Sequence, residues 1–269
     1  MRKTDWRVSL WAMAALVLLY APLIAIAVLS VNASRYGMVW KGITFEWYAK
    51  LVRNEQILDA ARNTLILALS STLFATVLGT ALALGLDRFP WPKPVFTALD
   101  SVLHLPIVAP DIVIAAALVL AFGILRGLSA FFDPGLPVMI IGHITFQIAF
   151  VALVVRARLG SISTTVFEAA RDLYAAGPFM FRHITLPLLL PAIIAGGLLA
   201  FTLSLDDFVI SFFTAGPAST TLPIFIYASV RRGVTPEIHA LSTLIVGVTI
   251  CLVVAAERGM QLKSKESET

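Results

Sequence analysis

The sequence predicts an all-α integral membrane fold with six transmembrane helices, and three observations carry that expectation. Of 269 residues, 59% are hydrophobic and only 13% charged, with a mean hydropathy of +0.90. A soluble domain carries about 25% charged residues, so this composition suits lipid. The apolar residues are also gathered into six runs near the roughly twenty residues a helix needs to cross a bilayer. Finally, the longest polar-bearing interruption in the later half of the chain is Glu168 to Pro187.

The first run, Leu10–Val31, follows a basic head of Arg2, Lys3 and Arg7. Its length exceeds the 7–15 apolar residues of a cleaved signal, so a retained helix is expected. The loop to Arg62 holds Trp40, Trp47 and Tyr48, residue types that anchor span ends at the membrane interface. Thr64–Leu86 is the second run. The third, Leu99–Leu125, is longer than a span requires and contains Pro106 and Pro110 beside Asp111, which argues for a kink or a break. Pro137–Val155 is the fourth run, Leu188–Phe213 the long fifth, and Leu241–Ala256 the short sixth. Gly79 and Gly85 in the second run, and Gly196-Gly197 in the fifth, are expected to let helices approach closely. Orientation follows from the basic residues: with the N-terminus cytoplasmic, twelve of the 20 Lys and Arg fall in inner segments. The first outer loop runs against the rule, with Arg35, Lys41, Lys50, Arg53 and Arg62.

The interruption reads EAARDLYAAGPFMFRHITLP and suggests two short helices around a break. Glu168–Tyr174 is the first, with Leu173 as its buried anchor, and Phe179–Ile184 the second; Gly177-Pro178 punctuates them. Glu168-Ala169-Ala170, Asp172, Leu173, Gly177, Ile184 and the Leu186-Pro187 pair resemble the EAA loop of ABC importer permeases. The resemblance implies a type I ABC importer permease fold, in which this cytoplasmic loop docks on a separate ATPase. Two alanines permit close backbone approach, and Glu168 offers a carboxylate to an Arg on the partner. Tyr174 stands where that family usually has Gly, leaving Gly177 as the expected source of the turn. An ordinary amphipathic connector is the plain alternative.

Within the fifth run, LLAFTLSLDDFVISFF sets Asp206 and Asp207 among apolar residues. A carboxylate at membrane depth costs about 2.5–3.5 kcal/mol on insertion scales and persists by facing a cavity or a partner. Consecutive helical residues point about 100° apart, so in an unbroken helix one Asp faces the path and the other a structural partner. Ser204 and Asp207 also have the spacing of a capping box, which would start a helix break here, and an Arg from another subunit would neutralise the pair equally well. Phe208, Phe212 and Phe213 supply faces for a cation. The run through Gly216, with LPIFIYASVRRGVTPEIHAL after it, resembles the second type of spermidine/putrescine permease subunit, and the likeness extends over essentially the whole chain. It implies a cationic polyamine as substrate, or an opine, an aminophosphonate or another small amine. Phe45-Glu46-Trp47-Tyr48 is similar to the outer loop of polyamine permeases, which would face the binding protein or the substrate entrance. Glu237 attracts cations there, or is a loop carboxylate paired with Arg231 or Arg232.

Other classes are disfavoured. His104, His143, His183 and His239 are scattered, so no metal site is expected; His143, in GHITF, reads as a packing residue with one hydrogen bond. The lone Cys251 excludes an internal disulfide, and no aromatic-interleaved basic patch suggests nucleic acid. No G-x-x-x-x-G-K-[ST] loop occurs, so ATP and Mg would bind on a partner ATPase and no cofactor on this chain. The expected organisation is a first helix and outer loop over 1–62, a permease core over 63–257 with its coupling loop at 164–187, and a cytoplasmic tail over 258–269. The expected partners are a second permease subunit, two copies of an ATPase and a solute-binding protein. An ion-coupled carrier using the Asp pair, or a membrane subunit without transport, are the rival classes.

Overall fold

The computed structural model describes the backbone of residues 6–34, 39–175 and 177–266, and the side chains of 8–34, 39–175 and 177–251. Arg2, Lys3 and Arg35, used above for orientation, lie outside the described residues, as do the side chains of Arg7, Arg258, Lys263 and Lys265. Among the described residues the only strand pairing is an isolated bridge between Asn32 and Ile43. The rest is helix and connection, in two compact units: 1–58 with 225–269, and 59–224.

In the unit of chain ends, α1 (Trp6–Ser30) and α2 (Glu46–Leu51) both pack on α12 (Pro236–Glu266). The connection after α1 is folded around Asn32, which is buried. Its Oδ1 accepts from the backbone N–H of Ser34 and Lys41, and its amide donates to Val39. α12 extends beyond the expected sixth run at both ends, to Pro236 and Glu266.

The second unit holds the body of α3 (Glu55–Arg88), then α4 (Lys93–Val108), α5 (Asp111–Leu125), α6 (Leu136–Ser161), α7 (Thr164–Asp172) and α8 (Gly177–Met180). A π-helical turn, Phe181–Thr185, joins α8 to α9 (Leu186–Asp206), and α10 (Val209–Thr214) follows; most of α11 (Leu222–Arg232) belongs to the unit of chain ends. α1, α3, α6 and the helix through 177–206 are each long and apolar enough to cross a membrane. α4 and α5 make a further span if counted together, bent by 113°. The bend is at Ala109-Pro110 because a residue before proline is pushed to extended backbone, and Ala109 has ψ 137°. Pro106, by contrast, sits inside α4.

The interruption differs from the expected pair of short helices, because its second half is continuous with α9. Pro187 lacks an N–H, and its ring would press on the carbonyl four residues back. The π turn relaxes that register, with the Leu186 N–H bonding to the Phe181 carbonyl.

α6 and α9 pack together around Val151, Val155, Leu189 and Ala200. A Cβ on Gly79 would lie 2.8 Å from Val151 Cβ, and one on Gly197 would lie 3.1 Å from Thr76 Oγ1. Gly196 also faces Val151, so these three glycines do serve close approach. Gly85 does not, having nothing within 4 Å of the same position. Opposite signs are therefore expected on substitution. Gly79→Ala should destabilise by about 1–3 kcal/mol through overpacking, whereas Gly85→Ala should be neutral or stabilise by up to about 1 kcal/mol from helix propensity. Thermal midpoints of the detergent-solubilised protein check both.

Candidate functional site

The fifth run breaks at its acidic pair. α9 ends at Asp206 because Asp207 turns extended, with φ −63° and ψ 124°. The Asp207 carboxylate then accepts from the N–H groups of Ile210, at 3.3 Å, and Ser211, at 2.8 Å. These donors open α10 and lack helical partners, so an anionic acceptor here is stabilising. The Asp207 side chain thus caps α10 from the residue before its N-cap, Phe208, and Ser204 does not, contrary to the expected capping box.

Ser204 instead joins a buried polar chain. Its Oγ lies 3.2 Å from Ser71 Oγ on α3 and 2.7 Å from His143 Nδ1 on α6. His143 Nε2 lies 3.0 Å from Ser211 Oγ and 3.2 Å from Asp207 Oδ2. His143 is fully buried and Asp207 leaves only 9% of its side chain exposed. The packing residue with one hydrogen bond is therefore the junction of three elements, α6, α9 and α10. Five side chains from three separate stretches of sequence meet here, which no local signal announced.

Asp206 is different. Its side chain is exposed, and its charged neighbours are Asp207 and Asp111. Asp111 opens α5 directly after the bend, so the two helix breaks bring their carboxylates to one locality. α5 and α10 pack together, which holds the breaks in register. Phe208 is half-buried, its ring centroid 5.2 Å from that of Phe212. Among the described residues no group of three or more His, Cys, Asp or Glu is arranged to hold a metal ion.

Trp47, Tyr48 and Glu237 belong to the unit of chain ends, where each has a definite partner. The buried Trp47 donates its indole N–H to the Asn32 carbonyl at 2.8 Å. Tyr48 Oη lies 2.7 Å from Ser30 Oγ. Glu237 accepts from the Asn54 amide at 2.8 Å, a partner 183 residues away in sequence, rather than from Arg231 or Arg232.

The stretch from Glu168 to Pro187 is built on an αL turn. Tyr174 has φ +59°, and Gly177 has φ +48°. The Ala175 N–H bonds to the Ala170 carbonyl and the Tyr174 N–H to the Arg171 carbonyl, both at 2.9 Å. That pair of bonds is a Schellman motif with Tyr174 in the position that glycine favours. The left-handed turn thus falls at Tyr174 itself and is not handed over to Gly177 as expected, although Gly177 is left-handed too; the Tyr174 Cβ costs about 1–2 kcal/mol there. Glu168, Ala169 and Asp172 are exposed, Ala170 is buried, Ile184 is half-buried and Pro187 is exposed. Leu173 is no buried anchor: it is 82% exposed, and Tyr174 94%. The helix stops before Leu173 can turn inward, and Phe167 supplies the buried contact instead. Tyr174→Gly should keep the turn and leave the thermal midpoint unchanged or raised, since glycine adopts φ > 0 freely. Tyr174→Pro forbids that φ and removes the N–H, and should destabilise by about 3 kcal/mol; thermal midpoints of the detergent-solubilised protein separate the two.

The family described as "Binding-protein-dependent transport system inner membrane component" matches residues 61–262. The chain is 38% identical over 247 residues to the "Spermidine/putrescine transport system permease protein PotC" of Escherichia coli (strain K12), covering 92% of this chain and 91% of that protein. It is 38% identical over 246 residues to the "Putrescine transport system permease protein PotI" of the same strain, covering 91% and 87%. At 26% identity over 245 residues it is similar to a putative 2-aminoethylphosphonate transport system permease protein, PhnV, of Salmonella paratyphi A, covering 90% and 89%. Its fold is similar to a chain of a bacterial ABC transporter that imports the acidic polysaccharide alginate, with a TM-score of 0.74, 20% identity and 95% of each chain covered.

Proposed function

The chain belongs to the family of binding-protein-dependent transport system inner membrane components, and on that premise we propose that it is the transmembrane subunit of an ABC importer for a small cationic polyamine of the putrescine/spermidine type. The exposed Asp206 at the end of α9, with Asp111 at the neighbouring break, carries the substrate reading. A helix C-terminus ends in unsatisfied carbonyls and favours positive charge. Asp207 is engaged by the N-terminus of α10 and by His143, which leaves Asp206 to meet a cation. A carboxylate–ammonium pair at 4 Å is worth about 4 kcal/mol at an effective dielectric of 20. Phe208 adds an aromatic face for the methylene chain or the ammonium. Discontinuous helices are where transporters bring charged and backbone groups to a substrate within the bilayer.

In this reading six spans cross the inner membrane: α1, α3, the bent α4–α5 pair, α6, α9 and α12, with both termini cytoplasmic. The subunit forms half of the path, and a second permease subunit forms the other half. Two copies of an ATPase, which hold the ATP and Mg, dock on the coupling loop at 164–187 through Glu168, Ala169, Asp172, Leu173 and Tyr174. A solute-binding protein delivers substrate to the outer face, which Trp47, Tyr48 and Glu237 help to shape. This chain is a transport subunit rather than an enzyme.

The test is uptake of labelled putrescine, spermidine and a neutral amino acid by the reconstituted complex. Saturable uptake of a polyamine, undiminished by the neutral amino acid, is expected. Uptake of 2-aminoethylphosphonate with indifference to polyamines would move the assignment to that amine, whose phosphonate the two carboxylates disfavour. Recovery of the tagged chain as a lone, gradient-driven carrier would overturn the importer reading.

A further inference from the structure

α7 is fastened to the rest of its unit by very little. Its buried side chains are Phe167 and Ala170, while Glu168, Ala169, Arg171 and Asp172 are exposed. Over the ring of Phe167, itself 7% exposed, lies the guanidinium of Arg88, 4.1 Å from the ring centroid. Arg88 is the last residue of α3, where the carbonyl end of the helix favours a cation. Asp87 holds it from the side, with Oδ2 3.3 Å from its Nε. The inner end of a long span thus grips the helix that carries the exposed docking residues.

α3 continues from that grip to the acidic break. Thr76 meets Gly197 of α9, and Gly79 meets Val151 of α6. One turn further, Ser71 touches Ser204, which leads through His143 to Asp207. Packed interiors transmit displacement because they deform little.

We propose that Arg88 and Phe167 form a positioning joint that passes displacement of α7 to α3, so that ATPase movement reaches the break at Asp206. Phe167 is buried and cannot itself be a docking contact, so the joint is separate from the surface the ATPase touches. The inference rests on the importer reading given above.

The experiment uses the reconstituted complex of both permease subunits, ATPase and binding protein, and measures polyamine transported per ATP hydrolysed. Arg88→Ala and Phe167→Leu should leave ATPase recovery unchanged and lower that ratio about fivefold or more, the lower end of ordinary coupling between sites. Arg88→Lys keeps a cation over the ring and Phe167→Tyr keeps the ring, so both should restore at least half of the ratio. These two mild variants also guard against simple misfolding. Ratios within twofold of the parent in both Arg88→Ala and Phe167→Leu overturn the joint. So does loss of ATPase recovery that Arg88→Lys fails to repair, which would make Arg88 a docking residue. If the parent chain itself recovers no ATPase, the importer reading fails instead.

Discussion

Asp206→Asn is expected to cut polyamine uptake about tenfold or more while leaving the thermal midpoint unchanged, and Asp207→Ala to lower the midpoint first. The two carboxylates are neighbours in sequence and opposites in setting. Asp206 is exposed at the end of α9, and asparagine keeps an acceptor oxygen there, so removing the charge disturbs the fold little. The loss is then one charge–charge attraction, for which tenfold corresponds to about 1.4 kcal/mol, well within what a partly screened pair supplies. Asp207 is held by two backbone N–H groups and by His143. Alanine there orphans buried donors at about 1–3 kcal/mol each, so the break loosens and α10 loses its start. Asp207→Asn tests the division more finely. Asparagine is as good a cap as aspartate, so it should fold nearly as well as the parent while Asp206→Asn folds well and transports poorly. Equal uptake by both Asn variants, measured at matched membrane levels with labelled putrescine, would remove Asp206 from the path.

How much of this was legible in the sequence varies with how local the cause is. The bend between α4 and α5 was readable, because proline acts on the residue just before it. The break at Asp207 was half-readable: an acidic residue before Phe-Val-Ile-Ser is a helix-start signal, but the capping box directed attention to Ser204. What placed Ser204 elsewhere was His143, on another helix and 61 residues away. The pairing of Glu237 with Arg231 or Arg232 failed for the same reason, since the nearby arginines lost to a distant Asn54.

Leu173 shows a different failure. Periodicity places an apolar residue on the inner face only while the helix lasts, and α7 ends at Asp172. Tyr174 shows the converse, because the turn is set by the Schellman bonds of the surrounding backbone. The chain keeps the geometry and bears the cost of the side chain. Gly79 and Gly85 were indistinguishable by sequence; only the neighbour across the helix separates a packing glycine from an idle one.

Glu168→Lys is expected to weaken ATPase binding by the solubilised permease pair about 30-fold or more, and to abolish most uptake, without affecting membrane insertion. Glu168 lies on the exposed side of α7, beside Ala169, which alone of the two alanines leaves the backbone open to a partner. No ion pair or hydrogen bond holds Glu168 among the described residues, so lysine costs the fold little there. At a docked surface the balance changes. Reversing a desolvated charge against a basic partner costs about 2–5 kcal/mol, which is where the 30-fold bound comes from. Glu168→Gln keeps the shape and an acceptor oxygen, so it should fall between parent and lysine variant. Affinity measured by titrating purified ATPase onto the immobilised permease pair decides the matter. A lysine variant that binds and transports like the parent would take Glu168 out of the docking surface and leave Leu173 and Tyr174 to account for it.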